Sequence, residues 1–492
     1  MKKILDKIHT PTWLTILLGV VLLLRIPSFF EPYSYGDEMV YLTLGNGIRQ
    51  GITLYSGIYD NKPPLLYITA AVAGSLFWFK VILAFWSLAT IILFWHLAKT
   101  LFPGKEKLHK VATAIFALVT TIPLFEGNIA NAEILMIGPI IAAFLILFSK
   151  PETFKNIFWA GVLFSIAALF KIPAVFDVPA IVFFWLIKDG ISVKGIKAVA
   201  IKLWPLVLGF IVPIGLTLVW FTFKGSLGDY FRAAFLQNLG YLSSWRGGSQ
   251  GGSILKNLPL FIRAAVILVC AAILYWKRSK LSKQFIFVSL WLLFSLFAVT
   301  LSERPYPHYL IQSLAPTSLL FGILIAEKTL EQSLAILPLA LFFLVPVFYK
   351  FWYYPTASYY QRFVSFAFMK MDKQTYLASF GTSVPRNYKV ADFLMKSMMP
   401  GETVFVWEDS PAIYALSRKL PPIKYVAGYH INDFSSKAEV EKQFEKNKPT
   451  FIVLLPNAQA FTELTPLIRT SYIQIASIEG AEVWRLIRTK AK

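Results

Sequence analysis

The chain has 492 residues, of which 56% are hydrophobic and only 15% charged, whereas soluble globular domains carry about 25% charged residues. In a soluble protein, its net charge of +21 would suggest a nucleic-acid partner. Here the lysines cluster in short loops between apolar runs, so membrane topology explains the charge. We therefore expect no nucleic-acid partner. The composition therefore excludes a soluble globular protein and indicates a polytopic membrane protein.

The predicted elements begin with apolar runs that resemble membrane-spanning helices, for which roughly 20 residues are needed. In chain order they cover 13–30, 65–79 joined to 80–99, 111–125, 132–149, 156–170, 172–187, 203–223, 257–276, 284–301, 309–326 and 333–349. We count the joined run as one crossing, because it is long for one span and short for two. The sequence thus predicts about 11 spans, with the termini on opposite sides of the membrane.

The distribution of basic residues predicts the orientation of these spans. Basic residues concentrate in alternate loops: Lys2, Lys3 and Lys7; Lys99, Lys105, Lys107 and Lys110; Lys150 and Lys155; Lys188, Lys194, Lys197 and Lys202; Lys277, Arg278, Lys280 and Lys283. The loops between them carry most of the acids: 31–64, 126–131, 224–256 and 302–308. By the positive-inside rule we expect a multi-pass protein of the cytoplasmic membrane with its N-terminus in the cytoplasm. Arg25 and the lack of a small-residue cleavage site argue for a retained first span rather than a cleaved signal peptide.

The composition changes near residue 375 and predicts a small α/β domain outside the membrane. Two buried strands and a hairpin are predicted at Val404–Trp407, 451–455, Tyr472–Ile478 and 481–487, with helices at 386–399, 410–418 and 436–447. An aromatic-rich stretch at 353–368 is predicted to be an interfacial helix. The expected fold is a mostly α, polytopic helical bundle at 1–350, an interfacial linker at 351–374 and an extracytoplasmic α/β domain at 375–492.

Other features limit the chemistry that the chain can perform. The single cysteine, Cys270, lies in an apolar run, and the five histidines show no metal-ligand spacing, so neither a disulfide framework, a thiol nucleophile nor a metal site is supported. We find no internal repeat of the kind that transporters often show. The glycine- and serine-rich tract at 247–253 is predicted to be flexible and to order when a ligand binds.

The loop after the first span carries two acids, Asp37 and Glu38, at the start of a predicted helix over 38–50. Charges at the border of a bilayer are costly to keep unless they have a function. One interpretation is that Asp37 is a general base that activates an acceptor nucleophile. The other is that Asp37 is the N-cap of the helix, because aspartate is a preferred N-cap residue. The two roles are compatible, and the location favours the base.

Later in the same loop, Lys62 precedes Pro63 and Pro64, which force an extended entry and predict a helix start at Pro64. A lysine at the outer membrane surface could bind a phosphate headgroup as a point charge. Lys62 could equally be a snorkelling residue that anchors the end of the helix.

Two further external segments carry candidate site residues. Glu133 is predicted to enter the fourth span from outside, either as a site residue or as an acid favoured by the helix dipole. Arg304, His308 and Tyr309 precede the tenth span, where Arg304 could bind phosphate and the other two could donate hydrogen bonds, although such residues are also common at membrane borders. Because two external loops present acids at the same depth, we expect Asp37, Glu133 and Tyr309 to share a cavity.

Three other charged residues receive less weight. Lys171, at the outer end of the fifth predicted span, is interpreted as a snorkelling anchor rather than a cavity lysine. Glu408 and Asp409 follow a predicted strand of the external domain, where loop acids are usually solvated.

Taken in order, the Asp-Glu pair, the Lys-Pro-Pro-Leu motif at 62–65, the acid of the second external loop and the His-Tyr turn at 308–309 resemble the dolichyl-phosphate-mannose protein mannosyltransferase superfamily of GT-C fold enzymes. The aminoarabinose transferase of lipid A belongs to the same group. The resemblance covers most of the chain, and the order and sidedness of the motifs are more specific than any one motif. It implies an inverting transfer of a sugar from a polyprenyl-phosphate donor to a glycan, lipid or protein acceptor outside the cytoplasmic membrane.

The resemblance and the positions together give each residue an expected role. Two acids are expected to be catalytic: Asp37 and Glu133. Four residues are expected to bind the donor phosphate: Lys62, Tyr59, Tyr309 and Arg304. Four more are expected to support them: Glu38, Tyr41, Asp60 and His308. Asn61 and Val40 depart from the pattern of relatives that have an acid and an arginine there, which counts against a lipid A acceptor and against a bound metal.

In the implied reaction, Asp37 takes the proton of the attacking hydroxyl, and Lys62 offsets the charge that develops on the leaving phosphate. Two other functions stay open. A lipid-linked sugar flippase or transporter would place its charges near the bilayer midplane and on broken helices. A non-catalytic envelope assembly protein would keep its function when Asp37 is replaced by asparagine.

Overall fold

The computed structural model describes residues 10–240, 258–456, 458–459 and 461–487. Within these residues the chain is mostly helical, and one four-stranded sheet lies near the C-terminus. The predicted tract at 247–253 lies outside the described residues. The chain divides into two compact units that alternate along the sequence. Unit 1 is Met1–Ser28, Lys80–Trp220 and Phe235–Thr356, and unit 2 is Phe29–Phe79, Phe221–Ala234 and Ala357–Lys492.

Most of the described residues lie in α-helices. They are α1 (Thr12–Arg25), α2 (Gly36–Arg49), α3 (Leu65–Ala73), α4 (Leu76–Leu101), α5 (Glu106–Val119), α6 (Ala132–Ser149), α7 (Phe154–Phe170), α8 (Val178–Asp189), α9 (Val193–Phe223), α10 (Leu227–Phe231), α11 (Gln237–Gly240), α12 (Leu258–Trp276), α13 (Lys283–Thr300), α14 (Leu314–Ala326), α15 (Leu330–Leu334), α16 (Ile336–Phe348), α17 (Thr356–Ala367), α18 (Lys373–Ala378), α19 (Ser383–Ser397), α20 (Pro411–Ser417), α21 (Gly428–Phe434), α22 (Lys437–Lys446) and α23 (Leu464–Ser471). Four 3-10 segments extend or precede them: Ile26–Phe30, Pro123–Phe125, Ile172–Asp177 and Pro307–Ser313.

Eight of the described helices are long and apolar enough to span a membrane. They cover Thr12–Phe30, Leu76–Leu101, Ala132–Ser149, Val193–Phe223, Leu258–Trp276, Lys283–Thr300, Pro307–Ala326 and Leu330–Phe348. Membrane-spanning helices were thus predicted correctly as a class, but the structure has eight of this length where the sequence predicts about 11.

The three remaining predicted spans form shorter helices, and their sequences explain why. The span predicted at 111–125 becomes α5, which begins in the charged stretch at Glu106 and has 14 residues. The spans predicted at 156–170 and 172–187 become α7, with 17 residues, and α8, with 12. Between α7 and α8 a 3-10 segment begins at Ile172, and its second residue is Pro173. Proline has no backbone N–H to donate, so it does not continue α7.

The core of unit 1 is built around α13, of whose residues 83% are buried. Helix α6 packs on α7, and α5 packs on α14. Arg25, at the end of α1, is buried and donates hydrogen bonds to the carbonyl oxygens of Gly127 (3.0 Å) and Thr120 (3.1 Å). These hydrogen bonds compensate the burial of the guanidinium and connect the end of α1 to the segment between α5 and α6.

The sheet of unit 2 has the strand order β1-β2-β4-β3. The strands are β1 (Val404–Trp407), β2 (Phe451–Leu454), β3 (Tyr472–Ile478) and β4 (Ala481–Leu486). The pair β1–β2 is parallel, and β4 runs antiparallel to both β2 and β3. Strand β1 is buried along its whole length, as expected for a strand covered on both faces. All four predicted strands are confirmed.

The β3–β4 hairpin turns at Glu479 and Gly480, where the sequence predicts it. Both residues have positive φ, +49° and +82°, as the two central residues of a type I′ hairpin turn require. The predicted helices at 386–399, 410–418 and 436–447 correspond to α19, α20 and α22, whereas α21 and α23 are not predicted. The division of the chain at about 350 and 375 stays a prediction.

In unit 2 the segment after the first span packs against the C-terminal region. Helix α2 contacts both α3 and α20, and the Thr43 hydroxyl lies 3.4 Å from the carbonyl oxygen of Pro411. A side chain at Gly45 would meet the backbone nitrogen of Ala71 at 2.6 Å, so glycine permits the close approach of α2 and α3. This packing fixes the start of α2, where the candidate acids lie.

Candidate active site

Asp37 lies in the first turn of α2, which begins at Gly36 and has Tyr35 as its N-cap residue. The interpretation of Asp37 as the N-cap is therefore wrong. Its carboxylate accepts a hydrogen bond of 2.8 Å from the Tyr41 hydroxyl, one turn further along the helix. The side chain of Asp37 is 37% exposed, whereas Glu38 is buried. Of the two acids, Asp37 is the one that a substrate can reach.

Lys62 is held between two carboxylates. Its Nζ lies 3.7 Å from Oδ2 of Asp37 and 3.8 Å from Oδ2 of Asp60, and 4.9 Å above the ring of Tyr41. Its side chain is only 21% exposed. A lysine in this position is fixed by ion pairs, so the geometry favours a site residue over the snorkelling anchor that the sequence left open.

The backbone around Lys62 is held by two buried tyrosines. The Tyr55 hydroxyl donates to the carbonyl oxygen of Lys62 at 2.8 Å, and the amide of Lys62 donates to the Tyr67 hydroxyl at 3.1 Å. Helix α3 then begins at Leu65 with Pro64 as its N-cap residue, one residue after the predicted start. The loop thus fixes the position of the lysine before any ligand arrives.

Asp60 is the buried partner of this lysine. Its carboxylate accepts a hydrogen bond of 2.8 Å from the Tyr67 hydroxyl, and Nε2 of His430 lies 3.5 Å from Oδ1. Burial acts to raise the pKa of Asp60, but the Lys62 ammonium and the neighbouring His430 and Tyr67 outweigh it and hold the pKa well below its usual range. Asp60 is therefore a fixed anion that orients Lys62.

Tyr59 lies in an aromatic cluster of unit 2 together with Tyr425, His430 and Phe434. Its amide donates to the carbonyl oxygen of Lys424 at 2.9 Å. Burial, with a further contribution from Asp60, raises the pKa of the Tyr59 hydroxyl, which can therefore act as a donor. The structure assigns Tyr59 a packing role, and its contact with a donor phosphate stays a prediction.

A second group of charged residues lies in unit 1 around Glu133, in the first turn of α6. The buried carboxylate of Glu133 forms an ion pair with Lys171 and lies 3.7 Å from Nε2 of His308. Nδ1 of His308 contacts Glu126, which also accepts a 3.0 Å hydrogen bond from Asn131. Lys171 is thus held inside the unit by a carboxylate, and its interpretation as a membrane anchor is corrected.

Lys171 also lines a cavity of about 210 Å³ together with Glu133, Tyr309 and Gln312. Its Nζ lies 4.0 Å above the ring of Tyr309. This cavity combines one cation, one carboxylate and hydrogen-bonding groups, which is a suitable set for a polar ligand. Arg304 is half-buried, and its backbone amide lies 3.4 Å from the Ser302 hydroxyl. Its side chain does not line this cavity.

The structure therefore brings together two sets of predicted residues. Unit 2 joins Asp37, Tyr41, Asp60 and Lys62, and unit 1 joins Glu133, His308 and Tyr309. The expected cavity shared by Asp37 and Glu133 stays a prediction. The described residues contain no group of three or more His, Cys, Asp or Glu side chains arranged to hold a metal ion.

From the sequence, Lys171 received the wrong role, and two other residues of these clusters, Glu126 and His430, were missed. Lys171 was noticed but given the role of an anchor. Glu126 borders a predicted external loop, and an acid there was the available signal. His430 had no local signal, because its partner Asp60 lies at the other end of the sequence and only the fold joins them.

The chain shares its fold with a solved membrane protein over nearly its whole length. The structure of ArnT from Cupriavidus metallidurans bound to undecaprenyl phosphate matches with a TM-score of 0.58 and 15% identity, covering 98% of this chain and 99% of that chain. The apo structure of the same protein matches with a TM-score of 0.54 and 13% identity, covering 96% and 97%. The chain therefore has the GT-C fold that the motifs predict, and it is a polytopic helical protein with a small C-terminal α/β sheet.

Sequence comparisons cover less of the chain. Residues 386–490 match a family model described as "Putative competence-induced protein Ccs4 C-terminal domain". No curated protein matches the chain by sequence. The family match is confined to the C-terminal part of unit 2, which supplies His430.

Proposed function

We propose that this protein is an integral membrane glycosyltransferase that moves a sugar from a polyprenyl-phosphate donor to an acceptor outside the cytoplasmic membrane, with inversion. The observation that carries the proposal is the position of Lys62, 3.7 Å from the exposed Asp37 and 3.8 Å from the buried Asp60. In this proposal Lys62 is the phosphate ligand, and Asp37 beside it is the proton acceptor. The fold of a protein solved with undecaprenyl phosphate bound supports a lipid-linked donor.

Lys62 is the proposed ligand of the donor phosphate. Its ammonium has two carboxylate neighbours, and its side chain is one-fifth exposed. An incoming phosphate can therefore replace Asp37 as its partner while Asp60 keeps the lysine in place. The positive charge then offsets the charge that develops on the departing phosphate. The roles of Tyr309 and Arg304 as phosphate ligands stay predictions.

Asp37 is the proposed general base. The acceptor hydroxyl oxygen attacks the anomeric carbon, the bond from that carbon to the phosphate oxygen breaks, and the electron pair leaves with the polyprenyl phosphate. Asp37 takes the hydroxyl proton, and the Tyr41 hydroxyl orients its carboxylate. A single displacement from the face opposite the leaving group inverts the anomeric carbon, as in glycosidases with one base on the far face.

Glu133, expected from the sequence to be catalytic, receives a positioning role in this proposal. A buried carboxylate already paired with Lys171 is costly to protonate or separate, so it is a poor proton carrier. It instead orients Lys171 and His308, and Lys171 presents the cation of the unit 1 cavity.

The proposal is tested by transfer assays on the purified full-length protein with a polyprenyl-phosphate sugar. We expect Asp37→Asn to reduce transfer by about 10²- to 10⁴-fold, the usual contribution of a general base. Lys62→Met should weaken donor binding by about 10- to 100-fold, the value of a hydrogen bond to a charged group.

Asp392→Asn and Lys396→Met are matched controls, because this exposed pair lies one helical turn apart on α19. Both controls should retain transfer and donor affinity. Full transfer by a folded Asp37→Asn variant would exclude the proposed base, and unchanged donor affinity in Lys62→Met would exclude the proposed phosphate ligand.

One observation favours a second candidate, a lipid-linked sugar transporter. Lys171 stands where α7 ends and a 3-10 segment begins, and His308 lies in another 3-10 segment; transporters use such interrupted helices at their binding sites. The same purified protein in vesicles separates the two functions. A transporter moves the lipid-linked sugar across the bilayer without an acceptor, and Asp37→Asn leaves that movement intact.

A further inference from the structure

An apolar groove runs between α12, α13 and α16 of unit 1. It consists of two cavities of about 230 and 440 Å³. Leu293 of α13 and Leu341 of α16 line both cavities, so the two are continuous along the helices. The volume of the larger cavity lies within the range of about 300–1,000 Å³ that is usual for small-molecule sites.

The two ends of this groove differ in their electrostatics. At one end Arg263 is already neutralised, because its guanidinium lies 3.1 Å from Glu303 and 3.2 Å from the Tyr349 hydroxyl. At the other end Lys277 and Lys280 line the larger cavity. Within the described part of the chain, neither of these two lysines forms an ion pair with a carboxylate. The groove therefore has one uncompensated cationic end.

The composition of the larger cavity restricts what can occupy it. Apart from the two lysines, its walls are mainly apolar side chains such as Leu274, Leu334 and Leu337. A small free anion would leave these walls uncovered, and a neutral lipid would leave two positive charges without a partner. An occupant with apolar chains and an anionic headgroup satisfies both requirements.

We propose that this groove binds an anionic glycerophospholipid, with its phosphate on Lys277 and Lys280 and its acyl chains along Leu293 and Leu341. The loop at 277–283 is cytoplasmic in the orientation that the basic residues predict, and anionic lipids are abundant in the cytoplasmic leaflet. The polyprenyl-phosphate donor is expected on the opposite side, near Lys62. The groove is thus a lipid site separate from the proposed transfer reaction.

Lipid binding to the purified full-length protein in phosphatidylcholine nanodiscs tests the proposal, with added phosphatidylglycerol counted by native mass spectrometry. A basic residue near a membrane surface contributes about fivefold in affinity for an anionic lipid. We therefore expect Lys277→Gln/Lys280→Gln to lower phosphatidylglycerol affinity roughly 25-fold. The matched control is Arg278→Gln/Lys283→Gln, which removes two charges from the same loop but none from the cavity lining; it should keep most of the affinity.

A second variant, Leu341→Trp, narrows the groove without changing its charge and should also weaken binding. Cys270 lines the larger cavity and is the only cysteine of the chain, so phosphatidylglycerol should slow its alkylation by N-ethylmaleimide more than phosphatidylcholine does. The thermal unfolding temperature of each variant shows whether it is folded.

Four results would overturn the proposal. The first is an equal loss of phosphatidylglycerol affinity in the control and the lysine variants, and the second is binding of phosphatidylcholine as tight as that of phosphatidylglycerol. The third is displacement of the lipid by glycerol phosphate at the same concentration. The fourth is tighter binding of undecaprenyl phosphate than of phosphatidylglycerol. Because none of these measurements uses sugar transfer, they are independent of the proposed function.

Discussion

At the residue scale, the two carboxylates around Lys62 differ in a way that separates their roles. Asp37 is 37% exposed, whereas Asp60 is 1% exposed. A buried carboxylate that is charged at neutral pH suits the orientation of a cation, and an accessible one suits proton transfer. We therefore propose that Asp60 helps to fix the position of Lys62 and that Asp37 is the proton acceptor.

The first prediction concerns the acid stability of unit 2. The pKa of Asp60 is lowered in the folded chain, so its stabilising contribution is complete above its ordinary pKa of about 4 and is lost as the pH falls below that value. Asp60→Asn should cost about 3 kcal/mol at pH 7, the usual effect of breaking a buried pair. Melting temperatures from pH 7 to pH 3 measure both effects.

In that series the melting temperature of the wild-type protein should fall steeply below pH 4. The melting temperature of Asp60→Asn should fall less over the same range. Asp392→Asn, an exposed acid on α19, is the control and should follow the wild type. Parallel curves for Asp60→Asn and the wild type would contradict the ionised, paired state of Asp60.

A second prediction concerns His430 as a positioning residue. His430 is buried against Asp60, so its removal should loosen the anion that orients Lys62. We expect His430→Ala to raise the KM for the donor by roughly 5- to 30-fold, which corresponds to the loss of about 1–2 kcal/mol, with a smaller change in kcat.

The control for this residue is Asn432→Ala, an exposed position on the same short helix α21. It should leave both constants unchanged. A fall in kcat alone, with the KM for the donor unaffected, would show that His430 does not act through Lys62.

At the scale of elements, α7 and α9 cross at a pair of glycines. A side chain at Gly161 would overlap the carbonyl oxygen of Leu206, and one at Gly209 would overlap the carbonyl oxygen of Phe158. Small residues at such crossings let helix backbones approach in a membrane, where packing rather than the hydrophobic effect drives association. The crossing thus depends on the absence of two side chains.

From this crossing we predict that Gly161→Ala and Gly209→Ala each destabilise the protein by about 1–3 kcal/mol, the cost of overpacking. Gly215→Ala lies on the same helix α9 as Gly209 but meets no atom within 4 Å. It should be neutral or stabilise by up to about 1 kcal/mol through helix propensity. Thermal unfolding in one detergent compares the three, and equal destabilisation by Gly215→Ala would contradict the packing argument.

The same scale shows which elements the sequence could predict. Long apolar runs identify the spanning helices, and short apolar runs identify the buried strands β1 and β2. Both can be predicted because an uninterrupted apolar run is visible in the local sequence. The predicted run at 156–170 ends at Phe170, as α7 does. The 3-10 segment at Ile172–Asp177 was missed, because apolar residues continue beyond Lys171 and only Pro173 signals an irregular start of the next helix. Helix α21 has seven residues, too few to show a hydrophobic period.

At the scale of the whole molecule, the site residues come from segments that are far apart in the sequence. The motifs placed Asp37 and Lys62 in one loop, as a base and a phosphate ligand, but the ion pair between them is seen only in the structure. The pairs Glu133–Lys171 and Asp60–His430 could not be predicted, since each joins two elements whose neighbourhood only the fold determines. Long-range pairs of this kind leave no periodic or spacing signal in a single chain.

The orientation of the chain gives a prediction for the intact protein. With Cys270→Ser as background, we introduce one cysteine by Lys396→Cys in the external domain or by Lys280→Cys in the basic loop. A membrane-impermeant maleimide applied to intact cells should label the Lys396→Cys variant only, and both variants after permeabilisation. The positive-inside rule predicts this pattern, and the reverse pattern would place the basic loops outside.

The packing of the first loop on the C-terminal region also has a consequence for biosynthesis. Thr43 and its neighbour Pro411 are separated by 368 positions. At about 5–20 residues per second, a ribosome needs roughly 20–75 s to connect them. During that interval Asp60 lacks His430, one of its buried neighbours, although Lys62 and Tyr67 are already present. A chain cut short before His430 would therefore hold Asp60, and through it Lys62, less firmly, so the proposed phosphate ligand reaches its full order only after the C-terminal region has been translated.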